Sequence, residues 1–167
     1  MKTAIIIGAS TGIGRATALA LSGKYNSISI TSFKHKEELL SLRDELMAKG
    51  CICYCETGDA GDMEFMEKFI QNTIDHLGSD IDLLINNAGI SYVGLINDMT
   101  AQDFDRTMKS NVYSVFNSCR LVVSHMIQHH KGHIINISSV WGNVGASCEV
   151  AYSASKGAVN SFSKALG

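Results

Sequence analysis

A doubly wound α/β domain built on a parallel sheet is predicted by three features of this 167-residue sequence. Short β-branched runs alternate with longer segments of helical period, and a glycine-rich turn joins the first run to the first helical segment. Nothing in between reads as a linker, an internal repeat or a low-complexity stretch. A chain of this length, 46% hydrophobic, can bury one substantial core, so a single domain over 1–167 is expected.

The elements follow in order. "TAIII" (3–7) is the first strand, and a helix runs from about Gly12 to Ser22. "SISIT" (27–31) precedes the helical "KEELLSLRDELMAKG" (36–50), and "CICYCE" (51–56) precedes a helix over about 62–77. "DLLIN" (82–86) leads through a loop to a long helix over about 101–129, and "HIINIS" (133–138) leads to the last helix, which ends in "AYSASKGAVNSFSKALG" (151–167). Right-handed crossovers between parallel strands place the helices on both faces of the sheet.

Composition excludes several classes of function. The net charge is -2, with Lys and Arg scattered among Asp and Glu, so no nucleic-acid footprint is present. No window approaches the ~20 apolar residues of a membrane span, and the apolar run before Gly8 is too short for a signal-peptide core, so a cytoplasmic location is expected. Cys51, Cys53 and Cys55 alternate and would share one face of a strand; without a second ligand cluster they read as thiols in a reducing compartment, with no metal site. "HHKGH" (129–133), with no acidic partner and a glycine inside it, reads as a solvated loop.

Two stretches carry chemistry. In "GASTGIG" (8–14), Gly8, Gly12 and Gly14 allow a tight turn and close backbone approach, and Ser10, Thr11 and Ile13 complete a loop that can seat a pyrophosphate against the helix N-terminus. The second strand ends in "TSFKH" with no carboxylate before Glu37. Ser32, Lys34 and His35 could there receive a 2'-phosphate, which favours NADP(H) over NAD(H), the alternative being that Lys34 opens the next helix. Tyr152 and Lys156, four residues apart, project from one helix face. A free phenol titrates near about 10, and a neighbouring ammonium favours the phenolate and brings proton exchange towards neutral pH.

"GASTGIG", "NNAG" (86–89), "SNVYSVF" (110–116) and "NISS…AYSASK" (136–156), in that order, resemble the motifs of the short-chain dehydrogenase/reductase family over the whole chain. The resemblance implies a Rossmann-like fold and an oxidoreductase, with Asn87, Ala88 and Gly89 beside the cofactor. It implies that Tyr152 is the general acid for carbonyl reduction and that Lys156 is its partner and binds the nicotinamide ribose. Ser139 would polarise the substrate carbonyl with Ser138 as its supporting neighbour, and Asn111 would hold the water that reprotonates Lys156. Two positions depart from the family pattern: Ile7 stands where a Thr is common, and Glu56 and Thr57 stand where Asp and Val often flank the adenine, leaving Thr57 as the adenine contact.

Trp141, Val144, Cys148 and Glu149, between Ser139 and Tyr152, are expected to wall the substrate. Within the family the sequence is most similar to 3-oxoacyl-[acyl-carrier-protein] reductases. That similarity implies a carrier-bound 3-oxoacyl thioester, an acyl-carrier-protein partner met by "HHKGH", a homo-oligomer and a place in fatty acid biosynthesis. Glu149 favours a substrate bearing an amine, so an amino-ketone, or a ketone on a lysine-derived protein modification, is the alternative. Family members continue through a sixth strand, a Pro-Gly loop, a substrate-covering helix and a seventh strand. The expectation is thus a family fold ending after its sixth helix, with strand five as an apolar edge inclined to pair with another chain. An inactive or weakly active cofactor-binding or oligomeric module is the competing class of function.

Overall fold

The computed structural model describes residues 2–78 and 80–167. Its five strands, β1 (Thr3–Ile7), β2 (Ser27–Ser32), β3 (Ile52–Thr57), β4 (Ile81–Asn86) and β5 (His133–Asn136), form one sheet in the order β3-β2-β1-β4-β5. Every neighbouring pair is parallel. The helices are α1 (Gly12–Leu21), α2 (Lys36–Ala48), α3 (Met63–Leu77), α4 (Ala101–Met108), α5 (Ser114–Gln128), α6 (Trp141–Val144) and α7 (Val150–Leu166).

Both faces of the sheet are covered, as the near-continuous apolar runs of β1 and β4 require. Ile5, Ile7 and Leu84 pack with Met66, Phe69 and Ile70 of α3, Val115 and Val122 of α5 and Val159 of α7. Ala4, Ile6, Ile28, Ile30 and Ile85 pack on the opposite side with Ala18 of α1 and Leu39, Leu42 and Leu46 of α2. The strand order reverses between β1 and β4, so a crevice opens at the carboxyl ends of these two strands.

β2 does not follow a simple alternation of buried and solvated faces. Ile28 and Ile30 fill one core, while Ser27, Ser29 and Thr31 are equally buried on the other side. Ser29 bonds Thr73 at 2.7 Å, whereas the hydroxyls of Ser27 and Thr31 find no protein partner.

Three local expectations are corrected. The long helix over 101–129 is broken: α4 and α5 are separated by a π-helical turn, Lys109–Tyr113, with Asn111 inside it. Cys51 precedes β3 instead of opening it, although it still packs beside the half-buried Cys53 and Cys55 on the α2 side. Burial pushes these thiols up, Cys53 to about 12, which makes them inert.

The third correction concerns "HHKGH", which has acidic partners that are remote in sequence. Lys131 Nζ lies 3.2 Å from Asp80 Oδ2 and 3.3 Å from Asp82 Oδ1, and His129 Nε2 lies 3.4 Å from Asp80 Oδ1. The Lys131 ammonium holds the Asp80 carboxyl below the usual carboxylate range. The stretch leads into the amino end of β5, opposite the crevice, so its charge is both neutralised and on the wrong side to present a carrier protein to the site.

β5 is a sheet edge, as expected, with Ile135 46% exposed. The last helix, α7, is the seventh because the π turn divides one helix and because α6 adds a single turn.

Candidate active site

A cleft of about 750 Å³ opens at the carboxyl ends of the strands, a size suited to a cofactor-sized ligand. Its walls are Gly8, Ser10 and Thr11 after β1, Thr31 to His35 at the end of β2, Gly58 to Gly61 after β3, and Asn87 to Ile90 after β4. Arg106, Lys109 and Ser110 close the far side.

Close backbone approach explains the glycines. Gly8 has φ +83°, and a β-carbon there would lie 2.6 Å from both the N and Cα of Ala88. A β-carbon on Gly14 would run into the Gly8 carbonyl and come within 2.7 Å of Asn87 Nδ2. Asn87 Nδ2 itself donates to Gly8 O at 2.7 Å and stitches the two loops together. Gly14 therefore packs the loop from behind, and the exposed Ile13 and the open Gly12 likewise lie outside the wall.

The N-cap Thr11 makes no side-chain cap hydrogen bond, so the first-turn N–H groups of α1 are left for a ligand. At the end of β2, Lys34 lines the cleft and does not open α2, which starts at Lys36. The Ser32 hydroxyl bends back to the Lys34 carbonyl and shapes that turn, while His35 takes a left-handed φ of +60°.

Thr57 is a correction. It is exposed and lines a separate small depression with Lys36, Leu39, Leu40, Cys55 and Glu56, because strand alternation puts it on the same face of β3 as Cys55, towards α2. The wall at this depth belongs instead to Gly58–Gly61, held by Asn117 Nδ2 on Ala60 O at 3.1 Å and by the Lys109–Asp59 pair at 2.9 Å. Sequence reasoning passed over this loop and Arg106, Lys109 and Ser110. The glycine pair Gly58 and Gly61 following a strand was the available signal.

A second group gathers at the Gly89–Ile90 end. Lys156 is only 4% exposed, and its Nζ donates to Ile137 O at 2.7 Å and sits 5.7 Å from the centre of the Tyr152 ring. A β-carbon on Gly89 would lie 3.5 Å from that Nζ and 3.2 Å from Asn111 Oδ1, which puts both side chains beside Gly89; Asn111, Ser139, Tyr152 and Lys156 themselves stand outside the lining of the cleft, next to its Gly89–Ile90 end. Burial lowers the Lys156 pKa from its ordinary value.

Asn111, fully buried in the π turn, clamps Ile90 from both sides: Oδ1 accepts from Ile90 N at 2.7 Å, and Nδ2 donates to Ile90 O at 2.8 Å and to Ser155 Oγ at 2.9 Å. Both amide hydrogens are thus used, and one lone pair of Oδ1 is left for any other partner. π turns recur at functional sites because the extra residue re-aims a side chain.

Ser139 Oγ accepts from Trp141 N at 3.2 Å, so its own hydrogen stays available to a ligand. Ser138 Oγ donates to the Lys156 carbonyl at 3.2 Å and ties the end of β5 to α7. Gly142 is a further residue the sequence did not single out. A β-carbon there would come within 2.7 Å and 2.8 Å of the Lys156 backbone C and O, so only glycine lets α6 lie against α7 at this level.

The residues expected to wall the substrate line neither cavity, and their own contacts are these. Trp141 and Val144 on α6 are exposed, the Cys148 carbonyl accepts from Gly94 N at 2.8 Å, and Glu149 Oε1 accepts from Ser91 Oγ at 2.6 Å. Cys148 has φ +61°, a strained value for a non-glycine residue, which turns the chain into α7.

A family model described as short chain dehydrogenase matches residues 2–167. Similar proteins include 3-oxoacyl-[acyl-carrier-protein] reductase FabG of Staphylococcus aureus, 32% identical over 163 residues, with 98% of this chain and 66% of that protein covered. The protein of the same name from Staphylococcus epidermidis is 30% identical over the same shares. General stress protein 39 of Bacillus subtilis is 31% identical, with 99% of this chain and 57% of that protein covered. The chain therefore spans about two thirds or less of the length of these relatives.

Proposed function

The chain belongs to the short-chain dehydrogenase family, and on that premise we propose that it reduces a ketone to an alcohol with NADP(H). The observation that carries this reading is the buried Lys156 ammonium beside Gly89 at the end of the cleft, 5.7 Å from the Tyr152 ring. A buried lysine without a carboxylate partner is costly, and its retention beside a phenol speaks for chemistry.

The residues present fit a dinucleotide. The uncapped start of α1 and the Gly8 turn suit a pyrophosphate, Asn87 to Gly89 would border the nicotinamide end, and Lys34, at a turn shaped by the Ser32 hydroxyl, suits a 2'-phosphate. When bound, the nicotinamide supplies the hydride. Tyr152 gives a proton to the carbonyl oxygen, Ser139 donates a hydrogen bond to it, and Lys156 favours the tyrosinate left behind. Asn111 fixes Ile90, and with it the strand end over which the substrate lies.

For the substrate, the names of the relatives support a carrier-bound 3-oxoacyl thioester, which would place the protein in fatty acid biosynthesis with an acyl carrier protein as partner. Exposed Tyr113 and Phe116 support a homo-oligomer, and among the described residues no helix is long and apolar enough to cross a membrane, in keeping with a cytoplasmic reading.

The test is a titration of the purified chain with NADPH and NADH, followed by oxidation of the bound coenzyme in the presence of an acetoacetyl thioester. Tighter NADPH binding, with turnover lost in Tyr152→Phe, is expected. Absence of binding would favour the inactive-module reading.

A further inference from the structure

We infer that Glu149 makes the mouth of the site a charge filter: ketones with a cationic group beside the carbonyl enter best, neutral ones next, and ones with a carboxylate worst. This rests on the proposed carbonyl reduction and deepens it, because it separates a 3-oxoacyl thioester from the corresponding free 3-oxo acid.

The placement comes first. Glu149 is the N-cap residue of α7, and Tyr152 and Lys156 follow at i+3 and i+7, along one side of the helix. The Lys156 backbone lies two turns further on, about 10 Å along the axis, and its ammonium is bonded to Ile137 O, with no ion pair to Glu149 among the described residues. Glu149 is half-buried and held in place: Oε1 accepts from Ser91 Oγ at 2.6 Å, and Ser91 follows Ile90, whose backbone is clamped by Asn111. Gly94 N on Cys148 O, at 2.8 Å, ties the same two segments a second time.

Charge comes next. Among the described residues Glu149 takes part in none of the ion pairs. Within 90–100 and 138–151 the charged residues are Asp98 and Glu149, both acidic. The large apolar residues of the same two segments, Val93, Leu95, Ile96, Trp141, Val144 and Val150, are exposed. A carboxylate held at the surface beside apolar side chains acts on a nearby ligand charge through partly screened surroundings, so its effect depends on salt. At about 5 Å and an effective dielectric constant of about 20 to 40, one charge changes relative affinity by about tenfold or more.

The experiment uses three ketones of like size: 4-aminobutan-2-one, butan-2-one and acetoacetate. Their binding to the NADP-loaded chain is read by ligand-observed NMR, and their reduction by NADPH oxidation. The wild type is expected to rank cation, neutral, anion in both readouts, and Glu149→Gln to shrink the cation-to-anion ratio at least about tenfold. Raising salt in the wild type from about 0.05 to about 0.5 M is expected to shrink the same ratio severalfold, a result that needs no variant to fold. A ratio equal in wild type and Glu149→Gln, or independent of salt, overturns the filter. Charge-ordered binding with no reduction of any ketone supports the filter and counts against the reductase reading alone.

Discussion

Lys156 Nζ donates to the Ile137 carbonyl at 2.7 Å, so the residue that ends the run of β5 into the site and the base of the site on α7 are one unit. The ammonium is positioned by backbone, makes no ion pair among the described residues, and lies beside Gly89, where a β-carbon would come within 3.5 Å of it.

Removing the phenol isolates proton transfer. Tyr152→Phe is expected to lower kcat by about 10²- to 10⁴-fold, the range of a general acid, while NADPH binding by fluorescence titration stays within about twofold. An equal loss of binding would mean that the variant damages the pocket.

Lys156 sets a pH dependence of stability. Its pKa in the folded protein lies below its ordinary value of 10.5, because burial penalises the ammonium. Between the lowered folded value and 10.5 the unfolded chain keeps a proton that the native chain has released, so the unfolded state binds more protons and stability rises with pH across that window. Urea melts of wild type and Lys156→Met across pH 7 to about 10.5 are expected to converge as pH rises. Parallel curves would show that the group is not desolvated.

Two glycines of the same loop should respond differently. Gly8→Ala meets the Ala88 backbone at 2.6 Å in addition to its φ of +83°, and is expected to weaken NADPH binding by more than tenfold, or about 1.4 kcal/mol. Gly12→Ala has φ +56° and open space, so only about 1 kcal/mol of backbone strain is expected, visible as a modest fall in Tm. Paired calorimetric titrations and melts distinguish them.

Gly142→Ala places a methyl group against the Lys156 backbone. The one-turn α6 must then lift from α7, at a cost of about 1 to 3 kcal/mol, and Trp141 moves with it. The expected readout is a change in Trp141 fluorescence together with a higher KM, since Trp141 is the sole tryptophan.

Much of this was legible in the chain itself. The β-branched runs and intervening helical periods imply a parallel sheet covered on both sides, and β1, buried along its whole length, shows why "TAIII" contains no polar alternation. Four separated motifs brought Gly8, Asn87, Asn111, Ser139, Tyr152 and Lys156 to the same end of the sheet. What could not be read was anything dependent on remote pairing. Lys131 meets Asp80 and Asp82 only because β4 and β5 are neighbours. Arg106 and Lys109 reach the cleft only because α4 folds back across it. Thr57 lies in a separate depression on the α2 side of β3. The π turn was hidden because a single inserted residue barely disturbs a long run of helical period.

That inserted residue also governs something larger than the aim of Asn111. One residue corresponds to about 100° of winding, so the insertion rotates all fifteen residues of α5 relative to α4. With it, Val115, Cys119 and Val122 meet the sheet; deleting it would swing them sideways and turn polar neighbours inward. The azimuth of a whole helix and the aim of one amide are therefore set by the same step, and neither can drift without the other.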